Sequence, residues 1–341
     1  MSERNKNTWR IRRSGFALLL AGLISAAAPG ICLAQPIVIR FPHDLAPTTP
    51  KGLGAEYFER IVEERLPGRV DVEVYPSSSL MNDQTSLEAL AFGEIQMIAI
   101  SLSKLDRLTK KFQIFDLPFL FADIEQVEAF QGSAVGQALL GELTPRGIRG
   151  LAYWHNGQKH LTANVPLRTP EDARGLEFRI MDSDVLLEQI RAIGGNPQKM
   201  AYSEVYQALQ TGAISAQENT WSNIYSSNFF EVQEYITESN HGYIGYLVAV
   251  NPGFWSGLPD DVRAVLDAAM KETTEHVNSI ALEVNQDARA AVLESGQNTL
   301  IELSDEERAL WRAAMRPVWD RFSGDIGSEL LEAAGADSAS R

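Results

Sequence analysis

The sequence predicts an α/β fold of two lobes facing one another across a central cleft, and three observations carry that prediction. Strand, helix, strand, helix, strand follow one another twice, once over residues 37–100 and again over 176–217. At the same helix-to-strand junction of each run, EALAFGEI (Glu88 to Ile95) and QALQTGAI (Gln207 to Ile214) both carry Ala-Leu, then a Gly, then an Ile at equal spacing. Finally, 341 residues with 45% hydrophobic and 22% charged content suffice for two separate cores. A few shared common residues prove little alone; joined to the repeated order, they suggest two lobes of one plan.

The chain opens with Arg4, Lys6, Arg10, Arg12 and Arg13, then an uncharged apolar run from Phe16 to Ala28, then Cys-Leu-Ala at 32–34. That reads as a secretory signal peptide over residues 1–34, cleaved after Ala34. The run is short for a membrane anchor, Ile31 before Cys32 does not suit a lipoprotein signal, and Phe16 falls one place late for a twin-arginine signal. Without these residues the 30 basic and 45 acidic groups become 25 and 44, a balance of −19. Such a chain repels nucleic acid and anionic lipid. Cys32 is the sole cysteine, so the mature chain has no thiol chemistry. A periplasmic location follows.

In the mature chain, Ile37 to Phe41 is a short apolar strand, with His43 and Asp44 in the loop after it. Phe58, Ile61, Val62 and Leu66 share one face of a helix from about Pro50, which Pro67-Gly68 ends. Val70, Val72 and Val74 alternate with polar neighbours in a half-buried strand. A helix over Thr85 to Phe92 and a strand over Ile95 to Ile100 complete the first run. Phe115 to Phe121 (FDLPFLF) reads as buried core bent by Pro118, and Gly147 to Tyr153 as a further strand. The second run has strands at 176–181, 198–201 and 213–217, with helices at 184–193 and 203–211 between them. Tyr246 to Val250 reads as a strand returning to the first lobe. A long helix follows to about Glu294, burying Val262, Leu266, Met270, Val277, Ile280 and Val284, and from Thr299 the pattern is helical until a polar tail. The expected lobes are 35–157 with 245–284, and 158–244 with 285–330; residues 331–341 are expected to be a flexible tail.

In LEFRIM, Leu176, Phe178 and Ile180 face one way and Arg179 the other. A guanidinium fixed on a strand grips a carboxylate through two parallel hydrogen bonds. It serves equally well as partner to a structural carboxylate, and the strand alone does not choose. Ligands of open α/β lobes collect at the carboxyl ends of the strands. Aligning the two runs sets Ile100 opposite Asn219, so Ser101 is expected to face the cleft, although a Ser there can also simply cap a turn.

The segment from Gly175 to Tyr225 resembles the solute receptors of tripartite ATP-independent periplasmic (TRAP) transporters, the DctP family, in its C4-dicarboxylate-binding subfamily. GLEFRI, EVYQALQTG, QEN and FDLPFLF carry the resemblance, which extends over roughly residues 36–330. It implies a two-lobe periplasmic binding protein, type II-like, with a central ligand cleft, hinge strands and a long bracing helix. It also implies that Arg179 clamps a substrate carboxylate. Lys159 stands where many relatives carry a second Arg and the dicarboxylate branch a Lys, and is expected to meet the other carboxylate. Asn219 is expected to fix the plane of the first; Trp154, His155 and His241 are expected on the wall, with Ser101 and His43 as further candidate contacts. The implied partners are a small organic acid and the transporter's membrane subunits; the receptor is expected to be a monomer without cofactor. Open alternatives are a receptor for a 2-oxo acid or sugar-acid monocarboxylate, and a presenter of ligand to a sensor kinase.

An enzyme finds little support. Five histidines show no His-Glu-x-x-His spacing, and no Gly-x-Ser-x-Gly elbow or Gly-rich Lys-Ser/Thr loop is present. GLGAEY at 52–57 lacks the third Gly of a dinucleotide fingerprint.

Overall fold

The computed structural model describes residues 35–336. The signal-peptide reading of residues 1–34, Cys32 included, lies outside them. The first run is β1 (Ile37–Pro42), α1 (Pro50–Arg65), β2 (Val70–Tyr75), α2 (Asp83–Phe92) and β3 (Met97–Ser101). Thr49 caps α1 by accepting from Gly52 N–H, with Pro50 at the first helical position. Asn82 caps α2 in the same way through Thr85 N–H. β1 and β2 pair in parallel, from Ile37 against Val70 to Pro42 against Tyr75.

The chain continues through α3 (Ile124–Gly132), α4 (Ala134–Leu139), β4 (Arg149–Gln158) and β5 (His160–Ala163). The second run is β6 (Glu177–Ile180), α5 (Asp184–Ala192), β7 (Asn196–Lys199), α6 (Val205–Thr211) and β8 (Ala216–Asn219). Then come α7 (Trp221–Ser226), β9 (Tyr235–Glu238), β10 (Tyr243–Val250), α8 (Pro252–Gly257), α9 (Asp260–Glu294), β11 (Thr299–Glu302), α10 (Asp305–Ile326) and α11 (Ser328–Ala333).

The first lobe is built on the β1–β2 pair and an antiparallel sheet ordered β3-β10-β4; the second on a six-stranded sheet ordered β11-β9-β5-β8-β6-β7. β6 lies between its parallel partners β7 and β8. The chain passes between the two sheets three times, by two short links and by the long path from β10 through α8 and α9 to β11. Lys159 alone separates β4 from β5, and residues 239–242 link β9 to β10. These crossings touch: Lys159 N–H donates to Gly242 O at 2.8 Å. The 35-residue α9 packs on α1 and β4, then on α7, and so runs beside both sheets. FDLPFLF is core, with Phe115 at 5.5 Å and 5.9 Å from the rings of Phe130 and Tyr153.

Two expectations are corrected. Thr299 to Glu302 is a strand, not helix, because it pairs in parallel with Tyr235 to Glu238 at the edge of the second sheet. The tail expected from residue 331 begins as the last part of α11, with Leu330 and Leu331 buried in the helix and Ala334 and Ala336 buried just after it. No helix among the described residues is long and apolar enough to cross a membrane.

Candidate functional site

Alternation along β6 sends Phe178 and Ile180 into the apolar core and Arg179 to the opposite face, in register with Gln198 and Gln217. Arg179 is only 2% exposed. Its Nε and Nη2 donate to Met200 O at 3.2 and 3.0 Å, and its guanidinium lies 5.8 Å from the Tyr202 ring centre. Burial pulls its pKa below the ordinary arginine value. No carboxylate of the described residues pairs with it, so a buried positive charge stands on one carbonyl and an aromatic face. Its remaining N–H groups are free to donate to an anion.

Arg179 lines a small cavity between the lobes together with Ser101 at the end of β3 and Asn219 at the end of β8. Asn219 Oδ1 accepts from Asn223 Nδ2 at 2.7 Å, and its Nδ2 donates to Gln217 at 3.1 Å. Asn223 Oδ1 in turn accepts from Asn156, whose amide also donates to the Tyr246 hydroxyl at 2.6 Å. A chain of amides thus locks the cavity wall across β8, α7, β4 and β10. Ser101 Oγ lies 3.3 Å from Met181 Sδ, a contact between the lobes.

The first lobe adds a charged cluster that no sequence pattern marked. Asp44 accepts from Lys51 at 2.5 Å and from Lys104 at 3.0 Å; Lys104 also donates to Asp83 at 2.7 Å. Lys51 is fully buried, donates to Ala99 O and sits 4.2 Å over the Tyr246 ring. Burial opposes ionisation of Asp44, but Lys104 and Lys51 outweigh it and hold its carboxyl well below the usual range. Asp83 moves the other way: burial and the neighbouring Asp44 push its pKa up. Asp44 and Lys104 reach the cavity that holds Arg179.

That cavity has about 20 Å³ of space, room for about one water. A wider groove of about 440 Å³ shares Asp44, Lys104 and Tyr202 with it and runs between α2 and Met200 to Tyr202. Among the described residues, no group of three or more His, Cys, Asp or Glu side chains is placed to hold a metal ion.

Five expected contacts lie elsewhere. Lys159 is fully buried, and its Nζ donates to Glu218 at 2.8 Å. The other Glu218 oxygen is 2.7 Å from His241 Nε2 and accepts from Gln189 at 3.2 Å. Burial opposes its charge, yet Lys159 and His241 bring Glu218 down to about 2. Lys159 and His241 therefore belong to an internal hydrogen-bonded network around Glu218, at the two short links between the sheets. The reason is alternation: Glu218 points to the face of β8 opposite Gln217 and Asn219 and draws the Lys159 ammonium and the His241 imidazole with it. In the loop after β1, His43 is 1% exposed and kept neutral, its pKa lowered to about 3 by burial and then Lys51. Trp154 is core, bonded through Nε1 to Thr274 of α9 at 3.1 Å. His155, expected on the same wall, is tied to the Tyr243 hydroxyl at 2.6 Å. Asn223 is the one added cavity residue with a legible signal, since it stands four places after Asn219, where α7 begins.

The family described as "Bacterial extracellular solute-binding protein, family 7" (DctP) matches residues 41–325. The chain is 48% identical to a C4-dicarboxylate-binding periplasmic protein DctP of Shewanella loihica, over 94% of each chain. It is 47% identical to the protein of that name from Rhodobacter capsulatus, over 96% of this chain and 99% of the other. Among solved structures, it resembles a TRAP periplasmic solute binding protein from Shewanella oneidensis with bound succinate, with a TM-score of 0.87 and 48% identity. That match covers 88% of this chain and 99% of the other. A TRAP solute binding protein from Pseudomonas aeruginosa with bound L-malate has a TM-score of 0.82 and 44% identity, over 84% and 100% of the two chains. By sequence along most of its length and by fold, the chain belongs to the DctP family of bacterial extracellular solute-binding proteins.

Proposed function

We propose that the protein is the periplasmic solute receptor of a TRAP transporter and that it binds a C4-dicarboxylate such as succinate or malate. The observation that carries this reading is the guanidinium of Arg179, buried on a strand, held in one plane by Met200 O and lacking any carboxylate partner among the described residues. One ligand carboxylate takes the free donors of Arg179 and approaches Asn219. The second faces Lys104, the ammonium that shares the cavity, in place of Lys159. The ligands of the relatives, succinate and L-malate, have this two-ended charge.

A four-carbon diacid needs more than the 20 Å³ at hand, so entry requires the lobes to part and close again. The crossings at Lys159 and at 239–242 are the short links about which they turn. The closed form is what the transporter's membrane subunits meet, and the ligand leaves chemically unchanged.

The test is titration calorimetry with succinate, malate, a matched monocarboxylate and a sugar acid. The diacids should bind the most tightly. Arg179→Lys keeps the charge but loses the fork, and should weaken succinate binding at least about tenfold, the equivalent of roughly 1.4 kcal/mol. Near-normal affinity in that variant, or a preference for the sugar acid, would overturn the reading.

A further inference from the structure

The charged groups gathered at the cleft do not balance a doubly negative guest. Arg179, Lys104 and Asp44 line the cavity, and Lys51 and Asp83 stand just behind it on Asp44 and Lys104, which makes three cations against two carboxylates. Both carboxylates lean on the same ammonium, Lys104, at 3.0 and 2.7 Å, and the side chains of both are only 7% exposed. The surplus is one positive charge, and a dianion closing into the cavity would leave one negative charge unmatched in an enclosed site that screens it little.

We propose that Asp83 takes up a proton when the dicarboxylate binds, so that it sets how the receptor discriminates a dianion from a monoanion. This rests on the dicarboxylate reading given above and adds a regulation of the same site. Two carboxylates on one ammonium cannot both stay ionised once a third arrives beside them, as for any like-charged pair sharing a site. Asp83 is the one that yields. Asp44 is held ionised by two ammoniums, Lys51 and Lys104, whereas Asp83 has Lys104 alone.

The other charged groups round Asp83 do not replace that proton. Lys51 lies behind Asp44, and Arg179 and Tyr246 act on it from the second sheet and from β10. In the outer groove, which Asp83 lines, are Glu88 on its own helix and Arg107, Arg146, Asp182 and Lys199. Asp182 is already matched there by Arg107 and Lys199. Lys104 at 2.7 Å and the amino end of α2 favour the ionised form of Asp83 against burial and Asp44, and the guest's second carboxylate tips that balance toward the proton.

Uptake has a definite sign: binding that adds a proton weakens as pH rises, by at most about tenfold per pH unit for one proton. Titration calorimetry of the mature protein with succinate, in buffers of different ionisation enthalpy between about pH 7 and pH 9, counts that proton directly. The expected result is a net uptake approaching one proton, with affinity falling over the range. Asp83→Asn should bind succinate with no uptake and little pH dependence. Asn82, which caps α2, is untouched by that change. Succinate binding by the wild-type protein without proton uptake overturns the proposal while leaving the dicarboxylate reading intact. Uptake that persists in Asp83→Asn also overturns it, moving the proton to the ligand or to Asp44. No succinate binding at any pH would instead remove the dicarboxylate reading itself.

Discussion

Arg179 and Lys159 are both cations almost sealed from solvent, yet they stand in opposite electrostatic positions. Arg179 donates to a carbonyl, whereas Lys159 is matched by Glu218 at 2.8 Å. Removing Lys159 therefore strands a carboxylate that keeps only His241 and Gln189 as donors. Lys159→Ala should lower the unfolding free energy by about 3–5 kcal/mol, the usual cost of breaking a buried pair. It should weaken diacids and monoacids alike; a loss confined to diacids would return Lys159 to the ligand. Arg179 could be read from the sequence because strand alternation gives the face of a single side chain. Lys159 could not, since its orientation depends on Glu218, a partner 59 residues away in the chain. Asp44, Lys104 and Asp83 escaped for the same reason: they come from the loop after β1, the helical turn after β3 and the first residue of α2, and no local periodicity marks such a meeting.

At the scale of elements, α9 reaches both lobes through two asparagines seven residues apart. Asn278 Oδ1 accepts from His155 N–H at 2.9 Å, and Asn285 accepts from Ser222 N–H at 2.9 Å while donating to Asn156 O at 2.8 Å. α1 can approach α9 closely because residue 54 is glycine. A methyl group there would overlap Val277 Cγ2 and lie 3.1 Å from the Trp154 ring. Helix propensity alone would favour Gly54→Ala by about 1 kcal/mol. The overlap falls on a branched side chain within a helix, which has little freedom to yield, so the substitution should instead destabilise by about 1–3 kcal/mol in denaturant unfolding. Gly132 in α3 has open space at that point, and Gly132→Ala should show no such loss. The long helix was legible from its apolar period, as were the paired runs. β11 was not, since four residues contain too little pattern to resist a helical reading until β9 lies beside them.

At the scale of the molecule, three of the four buried histidines, on separate segments, set the acid limit of the fold. Burial lowers His43 and His160 to about 3 and His155 to about 4, from an ordinary value of 6.5. A base whose folded pKa is depressed favours the folded state fully above its unfolded value and loses that contribution as pH falls through it. Each therefore withdraws about 1.4 kcal/mol of stability per pH unit below 6.5. Asp116 works against them. Burial raises its carboxyl to about 6, so the folded chain binds that proton more readily than the unfolded chain and gains stability as pH falls from 6 toward 3.8. Glu218, held at about 2, begins to withdraw stability only below its ordinary 4.5. Between pH 7 and pH 5 the histidines outweigh Asp116, and the net loss should be on the order of 5 kcal/mol, a large share of a typical folding free energy. Thermal unfolding across that interval should show a midpoint that falls steadily, and less steeply in His160→Gln. A midpoint that stays level from pH 7 to pH 5 would mean that these rings already carry their protons in the folded chain, and that burial does not hold them neutral.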